Sequence, residues 1–152
     1  MKLLFVCTGN ICRSPTAEAV MRRLVAEAGR GAEIAVDSAG TGAWHVGQPP
    51  DERAAATARG HGVELSGRAR QIRPDDFAEF DYIFAVDEPN LAELRRLRPP
   101  GSPAQVRLLG DLLGGSGGGV EVPDPYYGGP DGFEEVYRIV LDACRALLTE
   151  LT

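Results

Sequence analysis

The residues best suited to chemistry come early in the chain. Cys7 and Arg13 are separated by five residues, in Cys7-Thr8-Gly9-Asn10-Ile11-Cys12-Arg13-Ser14-Pro15. Such a pair alone says little. Here a short apolar run, KLLFVC at 2–7, precedes it, a glycine lies inside it, and a helical pattern follows at once. A loop running into a helix can turn successive backbone N–H groups inward as an anion-binding nest. The helix N-terminus adds unsatisfied donors and the positive end of a dipole. Arg13 can grip two oxygens of a phosphate with its planar fork, which a lysine cannot do. In that field a cysteine thiolate is favoured over the thiol, so Cys7 could attack phosphorus, with Ser14 donating a hydrogen bond to the sulfur. The competing reading makes Cys7 a buried strand residue and Arg13 a solvated helix-start residue. A nucleotide-binding phosphate loop fits poorly, because the Gly-Lys-Ser/Thr ending that contacts phosphates and magnesium is missing.

A phosphate ester with a poor leaving group also needs an acid. The best candidate is Asp124, in PDPYYGG at 123–129. Flanking prolines restrain its backbone, and Tyr126 and Tyr127 add aromatic surface. A plain surface turn would carry the same residue types, so the segment taken alone leaves the choice open.

The elements that must hold these groups alternate. The run at 2–7 reads as a buried strand. Ala17, Val20, Met21, Leu24, Val25 and Ala28 repeat at three- and four-residue steps, as on one helix face, with Ser14 as N-cap, Pro15 at the first helical position and Gly29 at the stop. Strands are expected at 33–38, 81–86 and 105–109, helices at 51–60, at about 88–97 and from near Asp131, and loops at 39–50 and 114–130. The last helix places Phe133, Val136, Tyr137, Val140, Leu141, Cys144, Leu148 and Leu151 on one face. Alternating strands and helices predict an α/β fold, a parallel sheet covered on both faces. Ligands of such sheets bind beyond the carboxyl ends of the strands, where Cys7 would sit.

A chain of 152 residues suits one domain, taken as 1–152, with a single core. The net charge of −6 argues against nucleic acid as a partner and means that an anion site must be built locally. No run is long enough to span a bilayer, and the N-terminal run lacks the form of a signal peptide; the expected location is the cytoplasm. Cys7, Cys12 and Cys144 are an odd set for disulfides, and His45 and His61 lie too far apart in sequence to suggest a zinc site.

Taken together, CTGNICRSP at 7–15 and DPYYG at 124–128 resemble the low-molecular-weight protein tyrosine phosphatase family. VDSAGT at 36–41, WHVGQPPD at 44–51, ARQI at 69–72 and FAEFDYIFAVDEPNL at 77–91 extend the resemblance over essentially the whole chain. The resemblance implies a three-layer, flavodoxin-like fold with a four-stranded parallel sheet in order 2-1-3-4, no metal and no cofactor. It also implies hydrolysis of phosphotyrosine in proteins, with Cys7 forming a phosphocysteine intermediate, Asp124 as acid and then base, and inorganic phosphate as product. Thr8, Gly9, Asn10, Ile11, Cys12, Arg13 and Ser14 would form the phosphate loop. Asn10, Ser14 and Ser38 would hold its shape, and Asp87 would orient Arg13. Ile11, Trp44, Tyr126 and Tyr127 would line the substrate cleft, and isoleucine rather than threonine at position 11 favours phosphotyrosine over phosphoarginine. Simpler readings stay beside these: Asp87 as a helix N-terminal acid, Asn10 as a turn residue and Trp44 as an exposed aromatic. Cys12 is either a partner that traps oxidised Cys7 as a disulfide or a small residue packed behind the loop; Cys144 reads as core. One departure is at Gly67, where some family members carry a histidine that supports the loop. A tyrosine kinase is a conceivable substrate, and a monomer or weak homodimer is expected. Other readings are an arsenate reductase, which would need redox cysteines late in the chain, and a phosphotyrosine-binding module, which should lack Cys7 or Asp124.

Overall fold

The computed structural model describes residues 1–114, 120–126 and 130–152. Its elements are β1 (Lys2–Cys7), α1 (Arg13–Glu27), β2 (Ala35–Gly40), α2 (Glu52–Gly60), α3 (Asp76–Glu79), β3 (Tyr82–Ala85), α4 (Glu88–Leu97), β4 (Gln105–Leu108), a 3₁₀ turn (Leu109–Leu113) and α5 (Pro130–Leu151). The strands form one parallel sheet in the order β2-β1-β3-β4, the order that the family resemblance implies. None of the described helices is long and apolar enough to cross a membrane.

Period-two alternation along β1 divides the interior. Leu3, Phe5 and Cys7 face one layer, where Ala17, Val20, Met21 and Val25 of α1 meet Val136, Val140, Cys144 and Leu147 of α5. Leu4 and Val6 face the other, against Phe77, Phe80, Leu91 and Leu94. β1 is central and covered on both sides, so Leu3 through Val6 are fully buried; this is why its sequence is a continuous apolar run rather than an alternating one. Each such side chain contributes roughly 1.5–3 kcal/mol by burial. The stack of Phe5 on Phe84, with ring centroids 5.6 Å apart, ties β1 to β3. Cys144 is wholly buried in this core, and burial pushes its thiol far above the ordinary range.

Several expectations are corrected. β2 runs over Ala35–Gly40 rather than 33–38, with Lys2 opposite Ala35 and Cys7 opposite Gly40; pairing with β1, not local composition, sets its ends. The expected loop therefore starts at Thr41. Ser14 is not the N-cap of α1: the helix begins at Arg13 with Cys12 at the cap, no side chain closes it, and the Ser14 hydroxyl is used elsewhere. Pro15, third in the helix, lacks only an N–H that the first turn leaves unbonded in any case. α3 and the 3₁₀ turn were not anticipated, both being too short to show periodicity. Most of the expected loop at 114–130 lies outside the described residues.

Candidate active site

The strand order reverses direction at β1, with β2 on one side and β3 on the other. At that switch point the segments following β1 and β3 diverge and leave a crevice. A cleft of about 480 Å³ opens there, lined by Cys7, Thr8, Gly9, Ile11, Cys12, Arg13, Trp44, His45, Asp124 and Tyr126.

Cys7 ends β1 and is 2% exposed. Its Sγ lies 2.9 Å from Ser14 Oγ and accepts the Asn10 N–H at 3.2 Å. The N–H groups of Gly9, Ile11, Cys12, Arg13 and Ser14 find no acceptor among the described residues, the condition for an anion-binding nest at the start of a helix. Two features hold the loop close to the sheet. Asn10 adopts a positive φ of 58°, so its turn role is real, and its side chain is also used: Nδ2 donates to Ser14 Oγ at 2.8 Å and Ser38 Oγ at 3.0 Å, while Oδ1 accepts the Arg70 N–H at 2.9 Å. Beneath the loop, Gly40 leaves no room for a side chain, since a Cβ there would lie 2.8 Å from the Thr8 carbonyl oxygen and 3.2 Å from the Asn10 nitrogen.

Arg13 is 3% exposed. Its Nη1 donates to Asp87 Oδ2 at 2.7 Å and to the Val122 carbonyl at 3.0 Å. Nη2 lies 3.6 Å from Asp124 Oδ2. One edge of the guanidinium is thus fixed by protein, and the Nε–Nη2 edge remains for two oxygens of a ligand. Asp87 fills both roles considered from the sequence. Its Oδ1 also caps α4 by accepting the Asn90 N–H at 2.9 Å and takes the Asn90 side-chain amide at 2.7 Å. Asn90 Oδ1 in turn accepts from Thr41 Oγ1 at 3.1 Å and Thr8 Oγ1 at 3.4 Å, so one acid joins the arginine, a helix start and the loop.

Asp124 has a half-exposed side chain. Its Oδ1 accepts the Tyr126 N–H at 3.0 Å, and the segment before it is anchored by the Val122 N–H on the Val86 carbonyl. Tyr126 lies beside Arg53, whose guanidinium is 5.3 Å from its ring centre, and 6.1 Å from the His45 ring. Trp44 is 76% exposed at the rim. Tyr127 lies outside the described residues. Asn10 and Ser14, placed in the phosphate loop from the sequence, are buried, with their side chains directed to the network around Cys7 and Ser38.

Cys12 is buried at the cleft floor. Burial above all, helped by Asp51, Cys7 and Asp124, pushes its thiol up to about 12, so at neutral pH it is protonated. Sequence reasoning missed His45, Asn90, Thr41 and Arg53. His45 packs on Gly9, where a Cβ would meet its ring at 2.9 Å, and adjacency to Trp44 was the only available signal. Among the described residues, no group of three His, Cys, Asp or Glu side chains is placed to hold a metal ion.

The family model for low molecular weight phosphotyrosine protein phosphatases matches residues 2–152. A Drosophila melanogaster protein, low molecular weight phosphotyrosine protein phosphatase 2, is 50% identical over 154 residues, covering 97% of this chain and 90% of its own. Among solved structures, a protein tyrosine phosphatase from Entamoeba histolytica with Hepes in its active site matches with a TM-score of 0.93 at 42% identity, over 99% of this chain and 96% of that one. A Drosophila arginine phosphatase matches with a TM-score of 0.93 at 36% identity, over 100% and 98%.

Proposed function

The chain belongs to the low molecular weight phosphotyrosine protein phosphatase family, and we propose that it hydrolyses phosphotyrosine in proteins through a phosphocysteine intermediate. The observation that carries this reading is the meeting of Cys7, Arg13 and Asp124 in one cleft.

The ester's phosphate sits in the loop, with its equatorial oxygens on the unbonded N–H groups and the Nε–Nη2 edge of Arg13. These donors stabilise the charge that builds in the transition state. The Cys7 thiolate attacks phosphorus in line with the departing tyrosyl oxygen. Asp124, on the loop above and open to the cleft, protonates that oxygen as the P–O bond breaks. Its carboxylate then takes a proton from the water that attacks the phosphocysteine. Inorganic phosphate leaves, and Cys7 returns as thiolate, stabilised by Ser14 and the Asn10 N–H. Tyr126 and Trp44 flank the aryl ring. The chemistry needs a reduced Cys7, which suits the cytoplasm. Tyrosine-phosphorylated proteins, a kinase among them, are the proposed partners, met by a monomer or weak dimer.

The test is phosphate release from phosphotyrosine, phosphoserine and phosphoarginine peptides without added metal, with Cys7→Ser as control. Turnover of the phosphotyrosine peptide alone, lost in the variant, is expected. Turnover of phosphoarginine alone would move the substrate to the arginine class, and turnover surviving Cys7→Ser would overturn the mechanism.

A further inference from the structure

Behind the phosphate loop, on the side away from the cleft, a chain of hydrogen bonds leads from Cys7 to a carboxylate that the mechanism above does not use. Cys7 Sγ meets Ser14 Oγ at 2.9 Å, Asn10 Nδ2 bridges Ser14 Oγ at 2.8 Å and Ser38 Oγ at 3.0 Å, and Ser38 Oγ donates to Glu18 Oε1 at 2.5 Å. The direction of the bonds around Asn10 is fixed. The Asn10 carboxamide oxygen is taken by the Arg70 N–H, so its two amide hydrogens must face the serines. Each serine oxygen accepts one of them, and each hydroxyl hydrogen has to point onward. That of Ser38 goes to Glu18. That of Ser14 goes to the sulfur or, at 3.3 Å, to the Ala39 carbonyl, and a thiolate is the stronger acceptor of the two.

Glu18 is well placed to set this order. Its side chain is 12% exposed, and Oε2 pairs with Arg22 Nη1 at 2.7 Å one turn on in α1. Asp37 on β2 and Arg70 on the connection before α3 also face it. Arg70 is held by Asp37 and Asp76, and Arg68 lines the same cavity of about 210 Å³ with Gly67 at its wall. As a carboxylate, Glu18 accepts the Ser38 hydrogen. Once protonated on Oε1 it would donate to an oxygen that already accepts from Asn10. The Ser38 hydrogen would then lose its acceptor and have to swing out of the chain, the oxygen would turn off its line with the Asn10 amide, and the Ser14 hydroxyl would be held less firmly toward Cys7. Burial pushes Glu18 above the usual carboxylate range, against the pull of Ser38 and Arg22.

We propose that Glu18 is a positioning residue for Cys7, acting through Ser38, Asn10 and Ser14, and that its carboxylate form is the competent one. The proposal rests on Cys7 being the nucleophile. Its readout is the rate at which iodoacetamide alkylates Cys7 in the free enzyme as a function of pH, with the site confirmed by mass spectrometry, alongside kcat and KM for an aryl phosphate. Glu18→Gln should lower kcat about three- to tenfold at neutral pH with KM nearly unchanged, and move the alkylation profile to higher pH. Ser38→Ala should do the same, and the double variant should be no worse than either by more than about twofold, because both cut one chain. Superimposed profiles for wild type and Glu18→Gln, or losses that multiply in the double variant, would overturn the proposal. Should Glu18→Gln fail to fold, Ser38→Ala with the wild-type profile decides: a wild-type profile in Ser38→Ala is then the refuting result. Turnover surviving in Cys7→Ser would instead defeat the nucleophile assignment itself, a separate outcome.

Discussion

Asp87 offers a perturbation whose two effects can be separated. Its Oδ1 caps α4 and its Oδ2 holds Arg13, a residue 3% exposed, at 2.7 Å. Asp87→Ala removes both. The lost cap costs about 1 kcal/mol. The charge-assisted bond to a buried guanidinium is worth about 2–3 kcal/mol, kept toward the low end because the Asp87 side chain is 18% exposed. The sum, about 3–4 kcal/mol, lowers the melting temperature of a chain this size by about 10 °C. Asp87→Asn has a single acceptor oxygen for these two tasks: with it on the Asn90 N–H the cap is kept, since asparagine serves as well there, while the amide NH2 is turned toward Nη1 and the bond to Arg13 is lost. It loses only that bond, about 2–3 kcal/mol or about 7 °C. Kinetically the two variants should fall together, because both release Arg13. Arg13 is then drawn toward Asp124, its remaining acid neighbour at 3.6 Å, which misplaces the phosphate grip and occupies the proton donor. A fall in kcat/KM of about 10²-fold is expected for both. Thermal melts and aryl phosphate kinetics on the two variants test this. Equal melting temperatures for Asn and Ala would refute the division between cap and clamp, and unchanged kcat/KM in Asp87→Ala would refute the role in holding Arg13.

Three further outcomes are expected. Asp124→Ala should lower turnover on phosphotyrosine by about 10²–10⁴-fold and much less on esters with good leaving groups; equal losses on both would remove the acid role. Gly40→Ala places a methyl 2.8 Å from the Thr8 carbonyl, so the loop must lift, costing about 1–3 kcal/mol and most of the activity, as read by melting and phosphate binding; wild-type phosphate affinity would show that the loop tolerates the shift. Peroxide should give a Cys7–Cys12 disulfide by mass spectrometry. Cys12 is a thiol up to about 12, so its thiolate fraction, and with it the closure rate, should rise about tenfold per pH unit from 7 to 9; exclusive sulfinic or sulfonic acid on Cys7 would reject the pairing.

The local chemistry of the loop was readable in the sequence. A strand run, a glycine and an arginine at the first turn of a helix dictate orphan N–H groups around a cysteine whatever the rest of the chain does, because backbone geometry over seven residues is set by those residues and their neighbours. The same holds for the apolar run of β1 and the faces of α1 and α5. Asp124 was the acid candidate that its proline-flanked segment offered, Asp87 was found through motif resemblance, and the sequence could not say that one acid would both cap α4 and clamp Arg13, 74 residues away. The remaining features belong to the tertiary structure alone. The ends of β2 follow from hydrogen-bond register with β1. That register carries Ser38 to Glu18, while the Gly40–Gln71 bridge beside it brings the Arg70 N–H to Asn10. His45 enters the cleft because Gly9 leaves a space for its ring. Partner choice among distant polar groups is decided by which strands neighbour one another and in what register, and a periodic pattern of apolar residues fixes the faces of elements without fixing either.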